Sequence, residues 1–216
     1  MDDALRVREF WFSKPLTGSL PGQGEMPSRA LALSRRASLW FEPDPQLMGQ
    51  QDELIRSEFQ GLVERAVRGE LAGWADSPRR RLSLIILLDQ FPRHIYRGTP
   101  QAFAYDAEAL ALTLSGMQSA ADGALNIIER LFFCMPLQHA ESTEVQDESV
   151  SAYRRLVAES PAELRSTFEG ALESAEEHRA LIRQFGRFPH RNRLLGRDNT
   201  PEEEAYLKKS TDSFGQ

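Results

Sequence analysis

From Gln51 to Gly69 the chain reads QDELIRSEFQGLVERAVRG, and its apolar residues fall at steps of three and four. Leu54, Ile55, Phe59, Leu62, Val63, Ala66 and Val67 therefore share one stripe of a helix, because 3.6 residues complete a turn. The pattern recurs in DAEALALTLSGMQ, where it selects Ala107, Leu110, Ala111, Leu114 and Met117, and over 145–157, where it selects Val145, Ser149, Ala152, Tyr153, Leu156 and Val157. A longer stretch keeps Leu164, Phe168, Ala171, Leu172, Ala175, His178, Ile182 and Phe185 in phase. No segment shows the strict alternation of a half-buried strand. The fold class expected is all-α, with antiparallel helix pairs packed in a tetratricopeptide-like superhelix.

Punctuation sets the expected boundaries. Ser160-Pro161-Ala162-Glu163 and Thr200-Pro201-Glu202-Glu203 both have the form of a capping box with proline at the first helical position. If Ser160 caps a helix, Ser160→Ala costs about 1 kcal/mol. Ser77-Pro78 opens the segment that runs into LSLIILLDQ, again with a hydroxyl available to an orphan amide. Helices are expected to stop near Gln90, before Phe91-Pro92, and near Phe185, before Gly186. Residues 13–28 and 41–49, rich in Gly, Pro and Ser or in Pro and Asp, read as loops, and 210–216 as a frayed tail. Nothing divides the chain, so 1–216 is expected to form a single helical domain.

Charge narrows the function classes. With 32 acidic and 26 basic residues the net charge is −6. That argues against a nucleic-acid or membrane-surface binder, which would be basic. Yet His178 to Arg197 holds six arginines and no acid, so the remainder carries −12. No secretory signal opens the chain and no apolar run is long enough to cross a bilayer. Cys134, the single cysteine, lies in RLFFCMPL and reads as a buried, inert thiol; a cytoplasmic location is expected.

Three motifs can carry chemistry. In IILLDQFPRHIYRG, Asp89 would close an apolar helix, where a carboxylate is disfavoured by about 0.3–1 kcal/mol unless a cation compensates. It therefore predicts an arginine partner from a Phe-Pro turn. In ERLFFCMPLQHAES, His139 and Glu141 form a candidate acid/base pair, provided the stretch is not helical; the plainer reading is a hydrogen-bonded histidine at a helix end. In QFGRFPHRNRLLGR, Arg187, His190, Arg191, Asn192 and Arg197 surround a stiff Phe188-Pro189 turn, and guanidinium forks suit carboxylates or phosphates. The first and third motifs echo each other, with Phe-Pro followed by Arg and His, which allows a helical repeat. The four histidines, His94, His139, His178 and His190, include no i, i+4 zinc pair, so neither a metal nor another cofactor is expected.

These motifs, with FWF near the N-terminus and GELAGWADSPR at 69–79, give nearly the whole chain a resemblance to the bacterial family called domain of unknown function 924. The resemblance implies an all-helical, tetratricopeptide-related fold and implies no activity. Asp89, Gln90, Arg93, His139, Glu141, His178, Arg187, His190, Arg191, Asn192 and Arg197 match its pattern. His94 stands where the family carries asparagine, so no role passes to that position.

Two functional readings follow, beside a purely structural ion-pair network with function elsewhere. The first is binding of a small anionic molecule or acidic peptide terminus by Asp89, Gln90, Arg93, Arg187, Arg191, Asn192 and Arg197. The second is a hydrolase-type enzyme using His139 or His190 as acid/base, oriented by Asp89 or Glu141. Trp11, Phe12, Trp40 and Phe41 serve the core or a contact between copies, which leaves a homo-oligomer open.

Overall fold

The structure, a computed structural model, describes residues 2–12, 40 and 44–209. The loop expected at 13–28 and the tail at 210–216 lie outside the described residues. Helices α1 (Asp3–Phe12) and α2 (Pro45–Val67) are followed by α3 (Pro78–Ile85), a π-helical turn (Ile86–Gln90) and α4 (Phe91–Ile95). Then come α5 (Asp106–Gln118), α6 (Ile127–His139), α7 (Thr143–Glu159), α8 (Arg165–Phe185) and α9 (Pro201–Lys209), with short 3-10 turns between several of them. Among the described residues there is no strand, and the chain is all-α.

Burial explains most of the predicted faces. In α2 Ile55, Phe59, Leu62, Val63 and Ala66 are buried, while Val67 at the helix end is exposed. α2 begins at Pro45, inside the segment expected to be a loop. Asp44 accepts bonds from the amides of Gln46 and Leu47 at 2.8 and 3.1 Å, so Asp-Pro is here an N-cap and not a turn. In α5 the buried face is Ala109, Thr113 and Gly116, not the predicted one, and Ala107 and Ala111 are exposed. Small residues face inward because the Phe133 ring of α6 comes close. A Cβ on Gly116 would stand 2.5 Å from Phe133 Cζ. The larger apolar residues of α5 flank this contact as partly buried packing.

Caps differ from expectation as well. Thr200 and Glu203 form the predicted box, amide to side chain in both directions, at 2.7 and 3.2 Å. Ser160 does not cap: its hydroxyl donates back to the Val157 carbonyl at 2.8 Å, and a 3-10 turn (Ala162–Leu164) intervenes before α8. Ser77 precedes α3 without a side-chain cap bond. Gly186 ends α8 in the left-handed region, φ 71°, which removes any Cβ penalty.

The helix carrying Asp89 does not stop at Gln90. Proline lacks an N–H and its ring crowds the carbonyl four residues back. One wide turn absorbs this: the Phe91 amide bonds the Ile86 carbonyl five residues earlier, and the chain stays helical to Ile95. The two Phe-Pro motifs are therefore not a repeat in backbone form. Phe188 is extended and Pro189–Arg191 is a short 3-10 turn. What they share is a fully buried phenylalanine, Phe91 and Phe188.

Helices α5, α6, α7 and α8 each pack on the next, and α4 packs on α2. One apolar cluster runs from Ala4 to Ala175, with Trp11, Phe59, Phe91 and Phe132 at its centre, and Trp40 packs against it. A smaller cluster of Leu181, Ile182 and Phe188 lies beneath the arginine-rich segment. Cys134 is buried in the main core, and burial pushes its thiol up to about 12, so it is inert. No helix among the described residues is long and apolar enough to cross a membrane.

Candidate functional site

The wide turn places Asp89 inside the protein with no solvent exposure. An isolated carboxylate there would be prohibitively desolvated. Its Oδ1 lies 2.6 Å from His139 Nδ1 and 3.5 Å from Arg93 Nη1, and the Gln90 side-chain amide donates to its Oδ2. Burial alone raises the Asp89 pKa, but His139 and Arg93 outweigh it and hold the carboxyl below its ordinary range. The predicted arginine partner is thus Arg93, one turn along the same helix. Arg93 also donates to the Asp89 carbonyl at 2.5 Å, which anchors the guanidinium beside the wide turn.

His139 ends α6. Its position depends on Gln146, a fully buried residue of α7, whose amide donates to the carbonyls of Gln138 and Ala140 at 2.7 and 2.9 Å. These are among the carbonyls a helix end leaves unsatisfied. Burial first, then the neighbouring Arg93 charge, lower the imidazole pKa, so the ring is neutral near pH 7. A neutral ring beside an ionised carboxylate carries its proton on Nδ1 and leaves Nε2 as an acceptor. Nε2 makes no hydrogen bond within the described residues, and the side chain is 14% exposed.

Arg93 grips Asp106, the first residue of α5, through both terminal nitrogens at 2.9 and 3.0 Å. The same carboxylate accepts from Arg191 Nη1 at 3.2 Å. Arg191 is 7% exposed and lies between two rings, 4.6 Å from the centroid of Phe103 and 4.6 Å from that of Phe188. Its Nη1 also donates to the His139 carbonyl at 3.2 Å. Burial, partly offset by Asp106, lowers its pKa to about 10, so it stays charged. Among the described residues its Nε is buried without a partner and its Nη2 makes no hydrogen bond.

The structure thus brings Asp89, Gln90, Arg93, His139 and Arg191 together. The other predicted residues form two adjoining clusters. Glu141 does not meet His139: it accepts from the Phe188 amide at 2.8 Å and from both terminal nitrogens of Arg197 at 2.7 and 3.0 Å. Arg187 clasps Glu203 at 2.7 and 2.8 Å, and Asn192, fully buried, donates to Glu203 and Asn199. His190 stacks near Phe188 at 5.5 Å, and burial followed by the Arg191 charge pulls its pKa down to about 3. His178 meets Phe188 edge-on at 5.4 Å and bonds the Ser174 carbonyl at 2.7 Å; burial lowers it to about 4.

Sequence reasoning overlooked Asp106 and Phe103. Asp106 looks like an ordinary acidic residue in a first helical turn, where acids are common, and nothing local announces its two guanidinium partners. Glu203 was read only as a capping residue. Elsewhere, Asp52 accepts from His94 Nδ1 at 2.8 Å and from Arg97 Nε at 2.6 Å, tying α2 to α4. Among the described residues no group of three or more His, Cys, Asp or Glu side chains is arranged to hold a metal ion.

The family model described as bacterial protein of unknown function, DUF924, matches residues 7–211. No curated protein matches the sequence. A solved structure of a protein of unknown function from Agrobacterium tumefaciens, ATU0120, is 34% identical with a TM-score of 0.69. The similarity covers 79% of this chain and 89% of that one.

Proposed function

Since the chain belongs to the bacterial DUF924 family, we propose that it binds a small anionic molecule, or the acidic terminus of a peptide, at the cluster of Asp89, His139, Arg93 and Arg191. The observation that carries this reading is Arg191. A charged guanidinium held between two aromatic rings, with Nε and Nη2 unbonded among the described residues, is preorganised and has donor capacity left over. Arg187 and Arg197 support the reading indirectly: each is matched to a carboxylate and fixes the segment that presents Arg191. Support for a single tetratricopeptide-like domain is the packing of α5 through α8 in chain order.

The test is a thermal-shift titration with acetate, phosphate and sulfate on the intact protein, repeated on Arg191→Gln. Sulfate and phosphate stabilise folded proteins at high concentration by exclusion, so the difference between the two proteins is the reading. Saturable stabilisation by at least one anion, absent from Arg191→Gln, is expected. Identical responses of both proteins to all three anions would overturn the proposal.

The Asp89–His139 geometry favours a second reading, general-base chemistry on the bound molecule. A carboxylate at Nδ1 fixes the tautomer and leaves Nε2 able to take a proton. The chemistry would be of hydrolase type, with His139 accepting the proton and Asp89 positioning it. Turnover against a hydrolase panel that survives His139→Ala would remove this reading.

A further inference from the structure

Counted as a sequence, the segment around Arg191 looks strongly positive; counted as a site, it is not. Arg93 and Arg191 bring two positive charges, and Asp89 and Asp106 bring two negative ones, joined in the chain Asp89–Arg93–Asp106–Arg191. The histidines facing this group, His139, His178 and His190, are held neutral chiefly by burial. The adjoining clusters add nothing net, since Arg197 is matched by Glu141 and Arg187 by Glu203. A ligand therefore meets well-directed donors without a surplus of charge.

This balance turns on Asp106. Its two oxygens hold Arg93 by a fork and reach Arg191 by one contact, as a bound carboxylate would. Asp89 sits deeper and is already engaged by His139 and Gln90. Resting on the anion-binding reading above, we infer that Asp106 is the specificity-determining residue of the site. It selects a singly charged, carboxylate-type group over a doubly charged phosphate- or sulfate-type group. One negative charge can be accommodated by the Arg191 donors left unbonded among the described residues, Nε after a small shift and Nη2 directly. Neither charge finds an uncompensated cation, so a second one adds repulsion from Asp106 without adding a donor. Asp106→Asn keeps an oxygen that can accept from both arginines but removes that charge, which leaves one guanidinium uncompensated.

The experiment is titration of the full-length protein with sodium acetate and with sodium sulfate at constant ionic strength, by calorimetry, for wild type, Asp106→Asn and Arg191→Gln. Wild type is expected to bind acetate about tenfold more tightly than sulfate, and Asp106→Asn to bring sulfate level with acetate or ahead of it. Arg191→Gln is expected to lose both. A wild type that prefers sulfate overturns the inference while leaving the anion site standing. So does an Asp106→Asn variant with the wild-type preference, since a purely structural Asp106 would alter stability but not the ratio. Absence of binding by either anion to any of the proteins overturns the site and the inference together. Should Asp106→Asn not fold, the acetate-to-sulfate ratio of wild type decides alone, a ratio at or below one refuting the inference.

Discussion

His139 Nδ1 and Asp89 Oδ1 stand 2.6 Å apart, although fifty residues separate them in the chain. The contact exists because a wide helical turn aims Asp89 inward and because Gln146 secures the end of α6. Removing the charge of Asp89 leaves Arg93 without its inner partner and His139 without a fixed tautomer. Asp89→Asn should lower stability by about 3–5 kcal/mol, the usual cost of breaking a buried pair. Urea unfolding reads this directly; a midpoint equal to wild type would show that the pair is not what holds the turn.

Arg191 should resist even a conservative change. Lysine keeps the charge but cannot lie flat between Phe103 and Phe188. Arg191→Lys is expected to cost about 2 kcal/mol, in line with desolvated cation–π contacts. Chemical denaturation checks it, and a loss below a few tenths of that value would mean the stacking contributes little.

Acid should weaken the fold early. Burial lowers His178 to about 4 and, with Arg191, lowers His190 to about 3. Unfolded histidines protonate near 6.5, so between that value and the folded ones the unfolded state binds more protons. Stability must then decrease as pH is lowered, by up to about 1.4 kcal/mol per unit for each histidine. Glu203, held at about 2 chiefly by Arg187, adds stability above the normal carboxylate range that is lost as pH falls toward 2. Unfolding free energies at pH 7, 6 and 5 should decline, and His178→Phe should flatten the slope. A level profile from pH 7 to 5 contradicts this.

Two capping residues that look alike in sequence should behave differently. Thr200→Ala removes an acceptor from the Glu203 amide and should cost about 1 kcal/mol. Ser160→Ala removes only a bond to the Val157 carbonyl, which still accepts from the Ser160 amide at 3.2 Å, and should cost about half of that or less. Equal losses in a denaturation series would mean that the two hydroxyls play the same part.

Gly116→Ala should destabilise by about 1–3 kcal/mol, since the added methyl meets a buried ring at 2.5 Å and the Arg81 stem at 2.9 Å. A gain in melting temperature, the ordinary result of Gly→Ala in a helix, would show that Phe133 moves aside freely.

The sequence by itself determined the helices. Apolar spacing is a local property, and α2, α7 and α8 follow it closely. It also marked most of the residues that meet in the site, because a carboxylate in an apolar run and six arginines without acids are anomalies that need partners. Tertiary structure alone decided who those partners are. His139 found Asp89 rather than Glu141, Arg187 found Glu203, and Asp106, unremarkable in sequence, joined Arg93 to Arg191. It also decided that Pro92 widens a helix instead of ending it, and that α5 buries its small residues. The reason is one of range. Backbone periodicity and capping act over a few residues, whereas the desolvation of a buried charge is compensated by whichever donors the packed helices bring within 3 Å, and no local pattern records that distance.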